Sequence, residues 1–369
     1  MDEIVLWIFL ISGGVQFGYL TFFAFKIFTF KCDTPSSHTP EEGLSIIVCA
    51  WNELDNLKKL LAKLYKQDQF ELEIIVVNDR SSDGSHEFLL DEKKSNPQLK
   101  VVTVEQTPDH IDGKKYAITL GIKAAKNDRL LFTDADCCPS STKWATSISN
   151  QFSEDKEFIL GFSQFEKSKG SINAFSRFET IMVAMQFFSY ALAGKPYMGV
   201  GRNLAYRKSM FLGSNGFHGF QRVTGGDDDL LVNKYANAKN TGICMGTDAL
   251  VFTQSKKTFG SYFQQKLRHL SVSKHYKLSD KLLLGIYSSS YLLFWIAFVI
   301  LAIYNTRPEI TYSVLVIRII LSTSLLSGIS KKLGERIDSW TIPILDLVYG
   351  IYLLVMGPAM LITKKVKWR

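Results

Sequence analysis

Apolar residues concentrate at the two ends of the chain, while the middle alternates short apolar runs with amphipathic ones. Ile4 to Phe25 (IVLWIFLISGGVQFGYLTFFAF) carries no charge, and about 20 such residues are what a helix needs to cross a bilayer core. A transmembrane helix is expected there. A cleaved signal peptide fits less well, because acidic Asp2 and Glu3 stand where a basic leader would be and no small-x-small cleavage pattern follows. Lys26 and Lys31 come next, so the positive-inside rule puts the N-terminus outside and the following residues in the cytoplasm. Near the other end, Leu282 to Tyr304 and Ile310 to Ile329 read as two further spans. Trp340 to Ile362 is equally apolar but contains Pro343, Asp346, Gly357 and Pro358. If it crossed, the basic tail KKVKWR would end outside, against the charge rule that Lys331, Lys332 and Arg336 obey. It is therefore either a fourth span or a re-entrant or interfacial element that returns the tail to the cytoplasm.

Between these ends, Leu44 to Ala50 (LSIIVCA) and Leu72 to Asp79 (LEIIVVND) are continuous apolar runs of the kind found in buried parallel strands. Leu57, Leu60, Leu61 and Leu64 between them repeat at helical spacing. A helix from about Gly84 to Lys94, a strand from Leu99 to Glu105, a helix around Lys115 to Ala125 and the strand RLLFTDAD from Arg129 continue the alternation. Strand and helix in strict turn mean an α/β fold, a mostly parallel sheet with helices on both faces. Ile181 to Gly194 is apolar but too short to span, and reads as a core or membrane-facing helix. The chain thus divides into an N-terminal transmembrane helix (1–30), a linker rich in Pro, Ser and Thr (31–43), a cytoplasmic globular domain that includes an interfacial helix (44–275) and a C-terminal membrane region (281–369).

Composition narrows the partners. A net charge of +8 suits a domain at an anionic leaflet that handles phosphate-bearing ligands. No basic helix or aromatic-interleaved basic stripe is present, so nucleic acid is not an expected partner. The five cysteines show no C-x-x-C spacing and are odd in number, as in a reduced cytosolic set.

Ligands of such sheets bind beyond the carboxyl ends of the strands. Asn52 and Glu53, Asn78 and Asp79, and Asp134 and Asp136 fall at those ends and should meet in one crevice. Asp134 and Asp136, one residue apart at a strand end, are hard oxygen donors that suit Mg²⁺ or Mn²⁺; a solvated turn is the plain alternative. Farther on, Asp227, Asp228 and Asp229 are adjacent carboxylates after Gly225 and Gly226, a source of a general base or simply an acidic helix start. Cys137 and Cys138 lack partners at zinc-ligand spacing and read as small residues packed behind the D-x-D turn.

The ordered set IIVCAWNELDNL, IIVVNDRSSDGS, DGKKYAITLGIKAA, LLFTDADCCP, GVGRNLAYRK, TGGDDDLL and QKLRH resembles the family-2 glycosyltransferases, in particular the membrane-integrated branch related to cellulose and hyaluronan synthases. The resemblance spans most of residues 44 to 275. It implies a Rossmann-like GT-A fold and inverting transfer from a nucleotide-diphosphate sugar to a membrane-presented lipid-linked glycan or polysaccharide, with a divalent metal at a multi-pass membrane protein. By resemblance Asp79 meets the nucleotide base, Glu53 the ribose, Asp134 the nucleotide side of the metal pair, and Asp136 the metal itself. Lys114 adds charge near the diphosphate. Asp227 and Asp228 match the family's acidic pair, with Asp228 as base and Asp229 as base if the register shifts by one. Gly201 and Asn203 fall on the acceptor side, while Gln265 and Arg268 match Q-x-x-R, with Arg268 able to approach the diphosphate. His269 stands where that motif has Trp, which favours single-sugar addition over a secretion channel. A polyprenyl-phosphate sugar synthase and a silent nucleotide-sugar-binding scaffold subunit are the alternatives; the first does not need TGGDDDLL and QKLRH, and the second would lose its carboxylates.

Overall fold

A computed structural model describes residues 2–31, 42–69 and 71–362. Most of the expected linker and the basic tail lie outside the described residues. In chain order the helices and strands are α1 (Asp2–Thr29), β1 (Leu44–Ala50), α2 (Leu54–Leu64), β2 (Leu72–Asp79), α3 (Ser85–Ser95), β3 (Leu99–Val104), α4 (Gly113–Ala124) and β4 (Arg129–Asp134). There follow β5 (Cys137–Pro139), α5 (Trp144–Ser149), β6 (Phe158–Leu160), β7 (Ser163–Phe165), α6 (Ser171–Leu192), β8 (Leu204–Arg207), α7 (Lys208–Gly213), α8 (Asp229–Tyr235), β9 (Thr241–Ile243) and β10 (Val251–Thr253). The chain closes with α9 (Phe259–Val272), α10 (Leu278–Ile303), α11 (Pro308–Lys332) and α12 (Ile342–Ile362).

The chain falls into two compact units, one within residues 31–167 and 190–256, the other of residues 1–30, 168–189 and 257 onward. Most of α6 and all of α9 thus go with the apolar helices, whereas residue pattern alone had put them in a globular domain ending at 275.

In the globular unit a seven-stranded sheet runs β3-β2-β1-β4-β8-β6-β9. β1 pairs in parallel with β2 and β4, and β2 with β3; β8 runs antiparallel to β4 and β6. Alternation of apolar strand and amphipathic helix dictates the parallel half, because each crossover needs a helix to return the chain. Register then sets the site: Ala50 lies opposite Asn78 and Cys49 opposite Asp134, so the polar ends of β1, β2 and β4 stand side by side. The run RLLFTDAD is not one strand. β4 stops at Asp134, Ala135 and Asp136 turn, and Cys137 begins β5 in a separate three-stranded sheet with β10 and β7. α4 can lie close on the sheet because Gly121 has no side chain; a Cβ there would be 2.8 Å from Ile47 Cγ2 and 3.0 Å from Val77 Cγ2. That contact holds the helix whose first turn carries Lys114 and Lys115.

In the other unit α1, α10, α11 and the segment Ser339–Met360 are each long and apolar enough to cross a membrane. Phe9 stacks on Phe294 at 4.7 Å between ring centres. Some of the buried polar groups are bonded within the bundle, which lowers the cost of holding them away from water. Gln16 donates to the carbonyl of Tyr287 at 3.1 Å and to Ser290 Oγ at 2.6 Å, and Arg318 pairs with Asp346.

Candidate active site

The site is built from one helix start, one strand end and one loop. α4 begins after Asp112, whose carboxylate accepts from the Lys115 backbone N–H at 3.5 Å. Lys114 then points its Nζ between Asp134 Oδ1, at 3.1 Å, and Asp227 Oδ2, at 3.4 Å. Burial works against its charge, but Asp134, Asp227 and Asp228 outweigh it and hold the ammonium well above the ordinary lysine range. Lys115 is buried, and its ammonium donates to the carbonyls of Val223 and Gly225. Gly225 and Gly226 take φ of +77° and +71°, a left-handed turn that only glycine enters without strain. Lys115 and this double-glycine turn deliver Asp227 and Asp228 to Lys114. Lys115 went unnoticed in the sequence because the doublet KK gives no sign of which lysine is buried.

Asp228 caps the start of α8. Its Oδ1 accepts from the Asp229 N–H at 2.8 Å and its Oδ2 from the Gly201 N–H at 2.7 Å. A Cβ on residue 201 would sit 3.0 Å from that oxygen, so glycine is what lets the backbone come this close. The recess between them is walled by Ile47, Phe132, Leu204 and Tyr206 beneath Lys114, Asp134, Asp227 and Asp228. Burial first, and Asp227 second, push the Asp228 carboxyl above the usual range, while Lys114 pulls it back. The Asp228 carboxylate, not that of Asp229, faces Gly201 and this recess.

Asp136 is exposed. Ligand-capable atoms of Asp134, Asp136 and Cys137 lie within 4.8 Å of one another, and Cys137 Sγ is 3.7 Å from Asp136 Oδ1. Cys137 therefore stands with the carboxylates, not behind the turn, and burial followed by Asp134 and Asp136 pushes its thiol up. A divalent cation fits this donor set: two hard oxygen donors converge at an open turn, and carboxylates outnumber the lysines around the recess.

On the other side of β1, the loops after β1 and β2 are laced together. Asn52, at φ +55°, accepts from the Ser82 N–H at 2.8 Å, and Asp83 accepts from the Leu54 N–H at 2.9 Å. Glu53 accepts from Asn56 Nδ2 at 2.5 Å; burial, with Asp136 and Asp134 adding, raises its carboxyl. Asp79 is held through both oxygens by Arg80, at 2.8 and 3.2 Å.

Not every expected residue is at this crevice. Asn203 is fully buried; its Oδ1 accepts from Trp144 Nε1 at 3.0 Å, and its Nδ2 donates at 2.7 Å to the carbonyls of both Phe162 and Ala249. These bonds make it a framework residue, which corrects the acceptor-side expectation. Asn203→Ala should lower the unfolding free energy by about 1–3 kcal/mol, since Trp144 Nε1 and the Phe162 and Ala249 carbonyls each lose a hydrogen bond; denaturant titration checks this, and unchanged stability with a raised acceptor KM would restore it to the site. Gln265 and Arg268 lie on α9, in the other unit.

Comparison with known proteins agrees with this architecture. Residues 45–212 match the model of glycosyl transferase family 2, within a sheet-and-helix unit of GT-A fold. It is 33% identical over 129 residues to a poly-beta-1,6-N-acetyl-D-glucosamine synthase of Staphylococcus epidermidis, an alignment covering 35% of this chain and 29% of that protein. An uncharacterized glycosyltransferase of Synechocystis sp. is 36% identical over 96 residues, covering 25% of this chain and 29% of its own. The chain thus spans under a third of the length of these relatives. Among solved structures, a mannosyltransferase from Pyrobaculum calidifontis in complex with GDP-Man and Mn²⁺ superposes with a TM-score of 0.64 at 16% identity, over 98% of this chain and 100% of that one; at that identity the likeness concerns the fold.

Proposed function

We propose that the protein is a membrane-bound, metal-dependent, inverting glycosyltransferase, with its catalytic unit in the cytoplasm, that passes a sugar from a nucleotide-diphosphate donor to a lipid-linked glycan or polysaccharide presented at the membrane. The observation that carries this reading is the placing of Asp228: a half-buried carboxylate held by two backbone N–H groups, with Lys114 between its neighbour Asp227 and Asp134. In this reading the base and the leaving-group stabiliser would stand on opposite sides of a single recess.

The acceptor hydroxyl oxygen attacks the anomeric carbon as the bond from that carbon to the diphosphate oxygen breaks. Asp228 takes the hydroxyl proton, and the departing oxygen keeps the bonding pair. Lys114 lies where it can offset part of that charge, and Asp227 holds Lys114 in place. Asp134 and Asp136 would hold Mg²⁺ or Mn²⁺, with Cys137 beside them; such an ion supplies electrostatic stabilisation of the leaving diphosphate. Glu53 and Asp79 would take the ribose and base at the β1 and β2 ends. Arg268 and Gln265 stay candidates for the diphosphate through their match to Q-x-x-R alone, and a glycan acceptor accords with the polysaccharide synthases among the relatives.

Turnover of a panel of nucleotide sugars, read as nucleoside-diphosphate release with and without Mn²⁺, tests the reading. Asp136→Ala should bind Mn²⁺ more weakly by calorimetry and release diphosphate about 100-fold more slowly. Equal Mn²⁺ affinity in variant and wild type would remove the metal role.

A further inference from the structure

α12 shares length and apolar character with the spans, but its contacts inside the apolar unit differ from theirs. α11 runs back alongside α10: Phe298 meets Tyr312 at 6.3 Å between ring centres, and Phe294 meets the Arg318 guanidinium at 4.8 Å. The pair therefore has a near end, with α9, Leu278 and Lys332, and a far end, with Ile303 and Pro308. A helix crossing from near to far would rise about 30 Å over its 21 residues and finish beside Ile303 and Pro308. α12 does not. Just before it, Ser339 Oγ lies 2.9 Å from Ser327 Oγ, in the last two turns of α11. At its other end Met360 Sδ accepts from Ser273 Oγ at 3.5 Å, and Ser273 precedes α10. Between these, Tyr352 lies 6.4 Å from Tyr262 of α9, and only the stretch around Asp346 and Gly350 reaches inward, to Tyr291, Arg318 and Trp295.

The exposed face of α12 carries Ile344, Leu347, Val348, Ile351, Leu354 and Val355, at helical spacing, while Leu345, Asp346, Tyr349 and Met356 are buried on the opposite face. A helix lying on a membrane surface turns charges outward; this one turns hydrocarbon outward, as α10 and α11 do at Ile286, Leu293, Val316 and Ile320.

We infer that α12 is a re-entrant helix: it enters the leaflet on the side of α9, lays its exposed face against the acyl chains of that leaflet, and opens at both ends on the same side. The Arg318–Asp346 pair anchors its deepest part, because a charge at that depth is tolerated only when paired. The inference rests on the proposal that this unit sits in a bilayer.

Full-length protein in sealed vesicles, with one epitope tag fused after Arg369 and another inserted after Asn305 in the α10–α11 turn, tests it by protease digestion. In vesicles of one orientation only one tag should be cut; both tags cut together would mean that α12 crosses. Leu354→Trp in vesicles of brominated lipid provides a second readout. Its added fluorescence should be quenched most by bromine placed near the headgroups. Strongest quenching by bromine at the bilayer centre, or none at either depth because a second copy covers the face, would overturn the inference. Recovery of the protein in the soluble fraction without detergent would instead defeat the membrane reading.

Discussion

Asp228→Asn should abolish sugar transfer while leaving the fold and donor binding in place. The amide oxygen can still accept from one of the Gly201 and Asp229 N–H groups, while its NH2 faces the other, so the α8 start keeps part of its cap. What it cannot do is take a proton. General-base removal costs roughly 10²–10⁴ in rate, and we expect kcat to fall by about 10³ with the Kd of the nucleotide sugar changed by less than about threefold, since Asp228 lies across Lys114 from the metal pair. Pre-steady-state transfer and donor titration separate the two. Asp229→Asn serves as the comparison: its carboxylate is not the one beside Gly201, so its transfer rate should stay within about tenfold of wild type. A larger loss in Asp229→Asn than in Asp228→Asn would move the base by one residue.

The parallel half of the fold was legible in the sequence because four apolar runs of strand length alternate with helical spacing, and the crossover rule then leaves little choice of arrangement. The polar strand ends were legible for the same reason. The course after Asp134 was not, since CCP is too short and too mixed to announce a strand in a second sheet. Asn203 misled because GVGRN marks a place where backbone approaches closely, and periodicity cannot distinguish backbone approaching a sugar from backbone approaching Trp144. Lys115 and Cys137 were hidden by adjacency: each neighbours a residue of clearer chemistry, and which of two adjacent side chains turns inward is decided by tertiary contacts, here the carbonyls of Val223 and Gly225 and the turn at Asp136. The grouping of α6 and α9 with the apolar helices was equally out of reach. It depends on buried partnerships such as Lys266 with Glu179 and Arg177 with Glu335, far apart in the chain.

Lys114→Met should damage the enzyme in two separable ways. Nζ lies within salt-bridge distance of both Asp134 and Asp227, so its loss brings the acidic groups around the recess into stronger repulsion and leaves the diphosphate without that charge. Donor KM should rise and kcat/KM fall by about 100-fold. The second effect is on pH. A base works when ionised, so activity persists above the Asp228 pKa and is lost as pH falls through it. Burial and Asp227 raise that pKa, and Lys114 opposes them; removing Lys114 lets it climb further. The acid limb of the kcat/KM profile should therefore move to higher pH in Lys114→Met and return toward wild type in Lys114→Arg, whose charge is preserved although its bulkier fork fits less well. A uniform loss of activity with the limb unmoved would confine Lys114 to the diphosphate and detach it from the base. A moved limb with donor KM unchanged would do the reverse, making Lys114 the counter-ion of Asp227 and Asp228 alone.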